Sequence, residues 1–216
     1  MQEVYSLKPI LDLISSWGKT NELTIEQLQQ KTVLLIAIAT MWRPRSDLGT
    51  LQTRDIQFSM QNNVPTAVTL MIREPKERHP KKSFLGIIGE EEMCPVRTLW
   101  TFLNESNVKR THLPEDHTLF LAYVDCPTKH PSSVRPVTIA NWVKSHMERA
   151  GIDTTKFKAH SIRAAASTRA VQAGIPIQTV KLHAGWSLRT STFEEVYLKP
   201  REQHVRGQQI LETMFA

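Results

Sequence analysis

A helix that is apolar on nearly every side sets the terms for this chain. Thr24-Ile25-Glu26-Gln27 has the form of a capping box, in which the threonine hydroxyl and the glutamine side chain each satisfy an orphan N–H at a helix start. The helix that follows runs to about Met41, and its apolar positions Leu28, Val33, Leu34, Leu35, Ile36, Ala37 and Ile38 nearly surround the axis toward the C-terminal end. Such a helix is stable only when other elements pack round it, so it belongs at the centre of a domain and not on its surface. At its end it delivers Trp42-Arg43-Pro44-Arg45 from the interior.

The remaining elements are read from periodicity and punctuation. Upstream, Leu7, Ile10, Leu11, Leu13, Ile14 and Trp17 form a shorter amphipathic helix ending at Gly18. Between residues 54 and 88 the period changes to two: Val68, Leu70 and Ile72 alternate with Thr69, Met71 and Arg73, and Phe84-Leu85-Gly86-Ile87-Ile88 follows a polar loop. This predicts a small antiparallel sheet, with the loop Glu74-Pro75-Lys76-Glu77-Arg78-His79-Pro80-Lys81-Lys82 presenting basic groups at a hairpin tip. Helices are expected over residues 95–103 and 139–150, the second capped by Thr138 and stopped at Gly151, with a short extended piece over residues 119–123 and a surface loop over 126–136. An alanine-rich helix starts at His160-Ser161-Ile162-Arg163 and ends near Gly174. Its i to i+3 spacing puts His160 and Arg163 on one face.

Composition narrows the function classes. Hydrophobic residues make up 40% of the 216 and charged ones 22%, which excludes disorder and low complexity as the main theme. The longest apolar run, residues 33–39, is too short to span a bilayer, and the N-terminus has neither a basic start nor an apolar signal segment, so an intracellular protein is expected and no membrane partner. Cys94 and Cys126 stand far apart and make no CxxC pair, so both are expected to be reduced. Lysine and arginine number 27 against 21 acidic residues, and the formal charge of +6 favours a polyanionic partner such as nucleic acid. No Walker loop, GxGxxG, HExxH or GxSxG occurs. His112 and His117 flank Leu-Pro-Glu-Asp without a nearby cysteine, which reads as a solvated loop, and no metal is assigned.

Five short segments stand in a telling order: Thr40-Met41-Trp42-Arg43, Pro75-Lys76-Glu77, Ala159-His160-Ser161-Ile162-Arg163, Ala184-Gly185-Trp186-Ser187, and Ser191-Thr192-Phe193 with Tyr197. In that order and approximate spacing they resemble the tyrosine recombinase (phage integrase) superfamily, over nearly the whole chain from about residue 23 to 200. The wording His-Ser-Ile-Arg, Gly-Trp-Ser and Ser-Thr-Phe looks most like eukaryotic mobile-element recombinases of the DIRS or Crypton kind, especially fungal ones. The resemblance implies an α+β fold, a mainly helical catalytic domain with a small antiparallel sheet whose hairpin carries a lysine. Residues 1–200 would form that domain, with residues 1–22 as a helical lead-in. The tail, residues 201–216, has Ile210, Leu211, Met214 and Phe215 at helical spacing, a stripe suited to docking on a neighbouring protomer or to folding back on its own core.

The resemblance further implies that the chain cleaves and rejoins double-stranded DNA through a 3′-phosphotyrosyl bond, as a homo-tetramer in the nucleus, with no metal or nucleotide cofactor. Tyr197 would be the nucleophile, Arg43 and Arg163 the phosphate clamps, Lys76 the donor to the leaving 5′ oxygen, His160 an aid to proton transfer and Trp186 an indole donor to a phosphate oxygen. Residue chemistry agrees with those roles. Arginine offers a planar fork that stays charged at any working pH. A phenol of pKa near 10 is a poor nucleophile unless neighbours stabilise the developing charge. Arg78, Lys81 and Lys82 are candidate DNA contacts on the hairpin. Taken singly, each residue has a plainer reading: Arg163 paired to a carboxylate, Lys76 a solvated charge, Trp186 a core aromatic.

Two departures leave alternatives open. Relatives have Arg, two residues, an acid and Leu, whereas Arg43 precedes Pro44-Arg45-Ser46-Asp47-Leu48, so Arg45 is a second candidate for the first arginine. Asp47 then braces the site by hydrogen bonding or caps the segment after Ser46. Relatives also carry a helical core-binding domain upstream, and fewer than thirty residues precede the apolar helix here. A catalytic fragment, a decayed or domesticated DNA-binding and assembly module, and a type IB topoisomerase-like enzyme are the alternative expectations.

Overall fold

The computed structural model describes residues 5–73, 80–191, 193–197, 211–212 and 214. The capping box forms as expected: the Gln27 N–H donates to Thr24 Oγ1 (3.2 Å) and the Thr24 N–H to Gln27 Oε1 (3.0 Å). It opens α2 (Ile25–Thr40), which follows the short α1 (Lys8–Ser15). Leu28, Val33, Leu34, Ile36 and Ala37 are all buried, and α2 packs against α3 (Pro95–Arg110), α4 (Pro136–Arg149), α5 (Ser161–Gln172) and the sheet. The chain leaves α2 through Met41, a non-glycine residue in the left-handed region (φ 54°), a conformation that costs about 1 kcal/mol. That turn swings the fully buried Trp42 back into the core, where its N–H donates to Thr40 Oγ1.

The sheet has three antiparallel strands in the order β1 (Ile56–Gln61), β2 (Val64–Ile72), β3 (Lys81–Gly86). Asn62 and Asn63, with φ of 50° and 61°, make the β1–β2 turn, where two left-handed residues match the twist of the strands. β2 buries Val68, Leu70 and Ile72, opposite Leu85, Ser83 and Lys81 of β3. β3 starts earlier than the apolar run beginning at Phe84 predicts, because ladder pairing with β2 carries the strand through its polar end. Alternation then puts Lys81, Ser83 and Leu85 inward and Lys82 and Phe84 outward. A second, two-stranded sheet pairs β4 (Leu121–Ala122), in the piece expected to be extended, with β5 (Ser132–Ser133), inside the stretch expected to be loop.

Three boundaries differ from the sequence reading for local reasons. α3 runs to Arg110 and not 103, since its polar second half is tied down: the Arg110 guanidinium donates to Ser106 Oγ, Thr53 Oγ1 and the Leu119 carbonyl. Thr138 lies within the first turn of α4, because Pro136 starts that helix with the fixed φ a first turn requires. His117 is buried and not solvated; its Nδ1–H donates to the Pro114 carbonyl at 2.7 Å. α6 (Ile177–His183) closes the helical part, ahead of a π-turn at Phe193–Tyr197. Among the described residues no helix is long and apolar enough to cross a membrane.

Buried His146 on α4 gives the fold an acid-sensitive point. Arg149 donates to its Nδ1, so the ring is neutral with its proton on Nε2, which donates to Gln30 Oε1 at 3.0 Å. Burial and then the Arg149 charge push its pKa down to about 4. The unfolded ring takes up a proton near pH 6.5 and the folded one only near 4, so its contribution is intact above 6.5 and is lost as pH falls, by about 3 kcal/mol at most. The melting temperature is expected to drop less between pH 7 and 4 in His146→Gln than in the wild type; equal slopes would trace the acid loss to other groups.

Candidate active site

The site is organised by one carboxylate. After Met41 the chain makes a tight turn in which the Asp47 N–H donates to the Arg43 carbonyl (3.0 Å) and the Arg43 N–H donates to Asp47 Oδ2 (3.0 Å). Ser46 Oγ donates to the other carboxylate oxygen. Gly49 fixes the turn against the start of α4: a Cβ there would lie 2.6 Å from Pro136 Cα, a distance real Cβ atoms do not tolerate. The extra residue in the arginine box is thus absorbed in a locked turn that drives Asp47 into the interior, where it is fully buried.

Three cations from three parts of the chain meet Asp47. Lys81 Nζ, from the first residue of β3, donates to Oδ2 at 2.8 Å. Arg163 Nη1, from the first turn of α5, lies 4.0 Å from the same oxygen, and Arg43 Nη1 lies 3.9 Å from it. Arg163 has no exposed surface and Lys81 only 5%, so this is a desolvated cluster whose charge is felt over longer range than a surface pair's. Three cationic side chains thus meet on one buried carboxylate.

Arg163 is braced from two further sides. Its Nη2 donates to the Ala184 carbonyl at 3.2 Å, and its Cζ stands 3.9 Å above the Trp186 ring. Trp186 in turn packs on Phe193 with ring centroids 4.7 Å apart. Gly185, at φ +69°, turns the chain between α6 and Trp186 and lies against the methylene stem of Lys81. Phe193, fully buried, opens the π-turn that ends in Tyr197.

The sequence candidates sort as follows. Arg43, Asp47, Arg163 and Trp186 are brought together. His160 is the exposed N-cap residue of α5, three positions before Arg163. Arg45 is exposed on the outside of the turn, whereas Arg43 faces Asp47. Lys82 is exposed on the outer face of β3. Lys81, read as a DNA contact at the hairpin tip, is instead a buried strand residue ion-paired to Asp47; the Lys81-Ser83-Leu85 alternation carried that signal, masked by the basic run around it. Lys76, Arg78 and the Tyr197 side chain lie outside the described residues, as does most of the tail over residues 201–216. Sequence reasoning missed Lys181, which is buried on α6 with its ammonium on Thr190 and Glu194; its place beside Ile177, Val180 and Ala184 on one helical face was the available signal.

The phage integrase family model matches residues 13–204. No curated protein matches the chain. Among solved structures, the chain is similar to XerA recombinase, with a TM-score of 0.68 at 15% identity, over 98% of this chain and 65% of that one. It is similar to the XerH site-specific recombinase bound to palindromic difH substrate in a post-cleavage complex, with a TM-score of 0.63 at 16% identity, over 99% of this chain and 52% of that one. A lambda integrase dimer bound to a COC′ core site gives a TM-score of 0.53 at 12% identity, over 94% of this chain and 61% of that one. The chain spans between about half and two thirds of the length of these proteins, which share its α+β catalytic-domain fold. With that fold, and with the family model covering all but its ends, the chain belongs to the phage integrase family of tyrosine recombinases.

Proposed function

We propose that this chain is a DNA strand transferase that cleaves one strand of a duplex at a specific site and rejoins it through a 3′-phosphotyrosyl intermediate. The observation that carries the reading is the meeting of Arg43, Lys81 and Arg163 on buried Asp47, beside Trp186 and the turn ending in Tyr197. A phosphodiester placed against those cations has its non-bridging oxygens held by the arginines, which favours the transition state because charge on those oxygens grows as the phosphorus becomes five-coordinate. The Tyr197 phenol oxygen bonds to phosphorus as the bond to the 5′ oxygen breaks. Lys76 supplies the proton to that leaving oxygen, and His160 takes up the phenolic proton. Trp186 donates its indole N–H to the phosphate. The phosphodiester bond energy is kept in the tyrosyl ester, so a 5′ hydroxyl can attack it in the reverse sense without ATP.

Double-stranded DNA is the partner, with Arg78 and Lys82 on the backbone phosphates and four protomers exchanging strands through a junction. Residues 1–200 act as the catalytic domain, and a helical core-binding domain would complete the grip on the duplex. The wording of the motifs supports an origin in a DIRS- or Crypton-like mobile element, and hence a nuclear site of action.

The test is an SDS-stable adduct on nicked duplexes drawn from DNA flanking the gene, together with DNA binding across a salt series. Adduct formation establishes the reaction class, and salt-sensitive binding without adduct favours a decayed binding module. Arg163→Lys separates the clamp from the core: it keeps a charge opposite Asp47 but loses the fork. Cleavage is expected to fall by about 10²–10³ with the fold retained. A variant that melts far below the wild type would assign Arg163 to the core instead.

A further inference from the structure

We propose that Lys181 and Glu194 form a latch that positions Tyr197 for attack. The inference rests on the strand-transfer reading above and adds two positioning residues to it.

On α6 the usual placement of residues is inverted: Lys181 is 4% exposed while its neighbour Leu182 is 63% exposed. An ammonium is taken out of water only where its donors are satisfied, and here they are. Nζ donates to the Thr190 carbonyl at 2.7 Å and to Glu194 Oε1 and Oε2 at 3.1 and 3.3 Å. The Lys181 carbonyl also accepts the Trp186 N–H at 2.8 Å, so one residue holds the turn that carries Trp186 and the segment beyond it.

That segment is exposed on either side of this tie. Residues 187–191 are all exposed, including Leu188. Ser191 Oγ bonds to Glu195, in the next turn. Between Trp186 and the π-turn, the inward ties among the described residues are Lys181 on one side and buried Phe193 on the other. Glu194 follows Phe193 directly and precedes Tyr197 by three residues within the same turn. Its own backbone N–H, and then the Lys181 ammonium, hold the Glu194 carboxyl below the usual carboxylate range. Phe193 sets the depth of the turn; a non-directional apolar contact leaves rotation about it open. The Lys181–Glu194 bond supplies the second fixed point, and two points on one short turn define where its last residue stands. Misplacing a nucleophile by about 1 Å can cost on the order of 10²-fold in rate, so a latch remote from the phosphate can act on cleavage alone.

The experiment measures single-turnover adduct formation, DNA affinity and amide hydrogen exchange for the full chain and for Lys181→Met, Glu194→Gln, the double variant and Lys181→Arg. Each single loss is expected to slow adduct formation by about 10- to 100-fold with duplex affinity unchanged, and to speed exchange over residues 187–197 but not over α5. The double variant should be no slower than the slower single one, because both remove the same contact. Lys181→Arg, which keeps a charged donor, should restore most of the rate, whereas a residue needed only to fill the core would not be rescued by charge. Lys181→Met and Glu194→Gln that form adduct at the wild-type rate, or that lose DNA affinity in step with rate, overturn the latch and leave the function standing. A wild type that forms no adduct on any duplex overturns both, whatever the exchange shows.

Discussion

Tyr197→Phe is expected to form no SDS-stable adduct on any duplex that the wild type attacks, while binding the same DNA with nearly the same affinity and salt dependence. The substitution removes one oxygen. The groups proposed to hold DNA, Arg43, Lys81 and Arg163 round Asp47 together with exposed Lys82, are untouched by it. Affinity for duplex DNA comes mainly from phosphate contacts and counterion release, so the slope of log affinity against log salt should be the same in both proteins. The covalent step has no substitute, since the ester forms only on the phenolic oxygen. A smaller adduct that survives in Tyr197→Phe would mean that another hydroxyl attacks, and equal adduct in both proteins would remove Tyr197 from the reaction. Neither tyrosine elsewhere among the described residues is placed to take over. Tyr5 is buried beside Phe157 with its pKa raised by burial, and Tyr123 lies under the Lys129 ammonium.

Much of this arrangement was legible in the sequence, and the parts that were not share a cause. The capping box, the apolar helix, the glycines that stop α4 and α5, and the period-two strands are local signals, set by a few neighbouring residues, and they reappear where expected. The partners of polar residues are set by tertiary packing, which no window of sequence contains. Lys81 sits among lysines and prolines whose chemistry reads as a solvated loop. Only the β2–β3 register, with Lys81 opposite Ile72, turns it inward to Asp47. Asp47 itself was open between a brace and a cap until the turn from Arg43 closed on it. Lys181 offered a weaker cue still: a charge on an apolar helix face is as often a snorkelling side chain as a buried one. The order of the motif residues pointed to the family, while the meeting of the cations on Asp47 emerged only from the fold.

Asp47→Ala is expected to be the most destabilising single change in the pocket. In the wild type this carboxylate is fully buried, accepts from the Arg43 N–H, Ser46 and Lys81, and faces two guanidiniums within 4.0 Å. Removing it deprives buried Lys81 and Arg163 of this ion-pair partner, a loss of about 3–5 kcal/mol by comparison with other broken buried pairs. For a chain of this size that lowers the melting temperature by roughly 6–20 °C. Two further measurements separate the lost charge pairing from the loss of volume. Adding Lys81→Met to Asp47→Ala removes one of the cations that Asp47 paired and should raise the melting temperature above that of the single variant; a further fall would show that the hydrogen bonds and volume of Asp47 matter more than its charge. Duplex DNA should stabilise Asp47→Ala more than it stabilises the wild type, because a bound phosphate restores part of the missing negative charge and binding to the folded state alone shifts its unfolding equilibrium. Equal stabilisation of the two proteins by DNA would place the phosphate elsewhere. The same carboxylate that gathers three cations before DNA arrives is thus expected also to limit how strongly they draw the phosphate once it does.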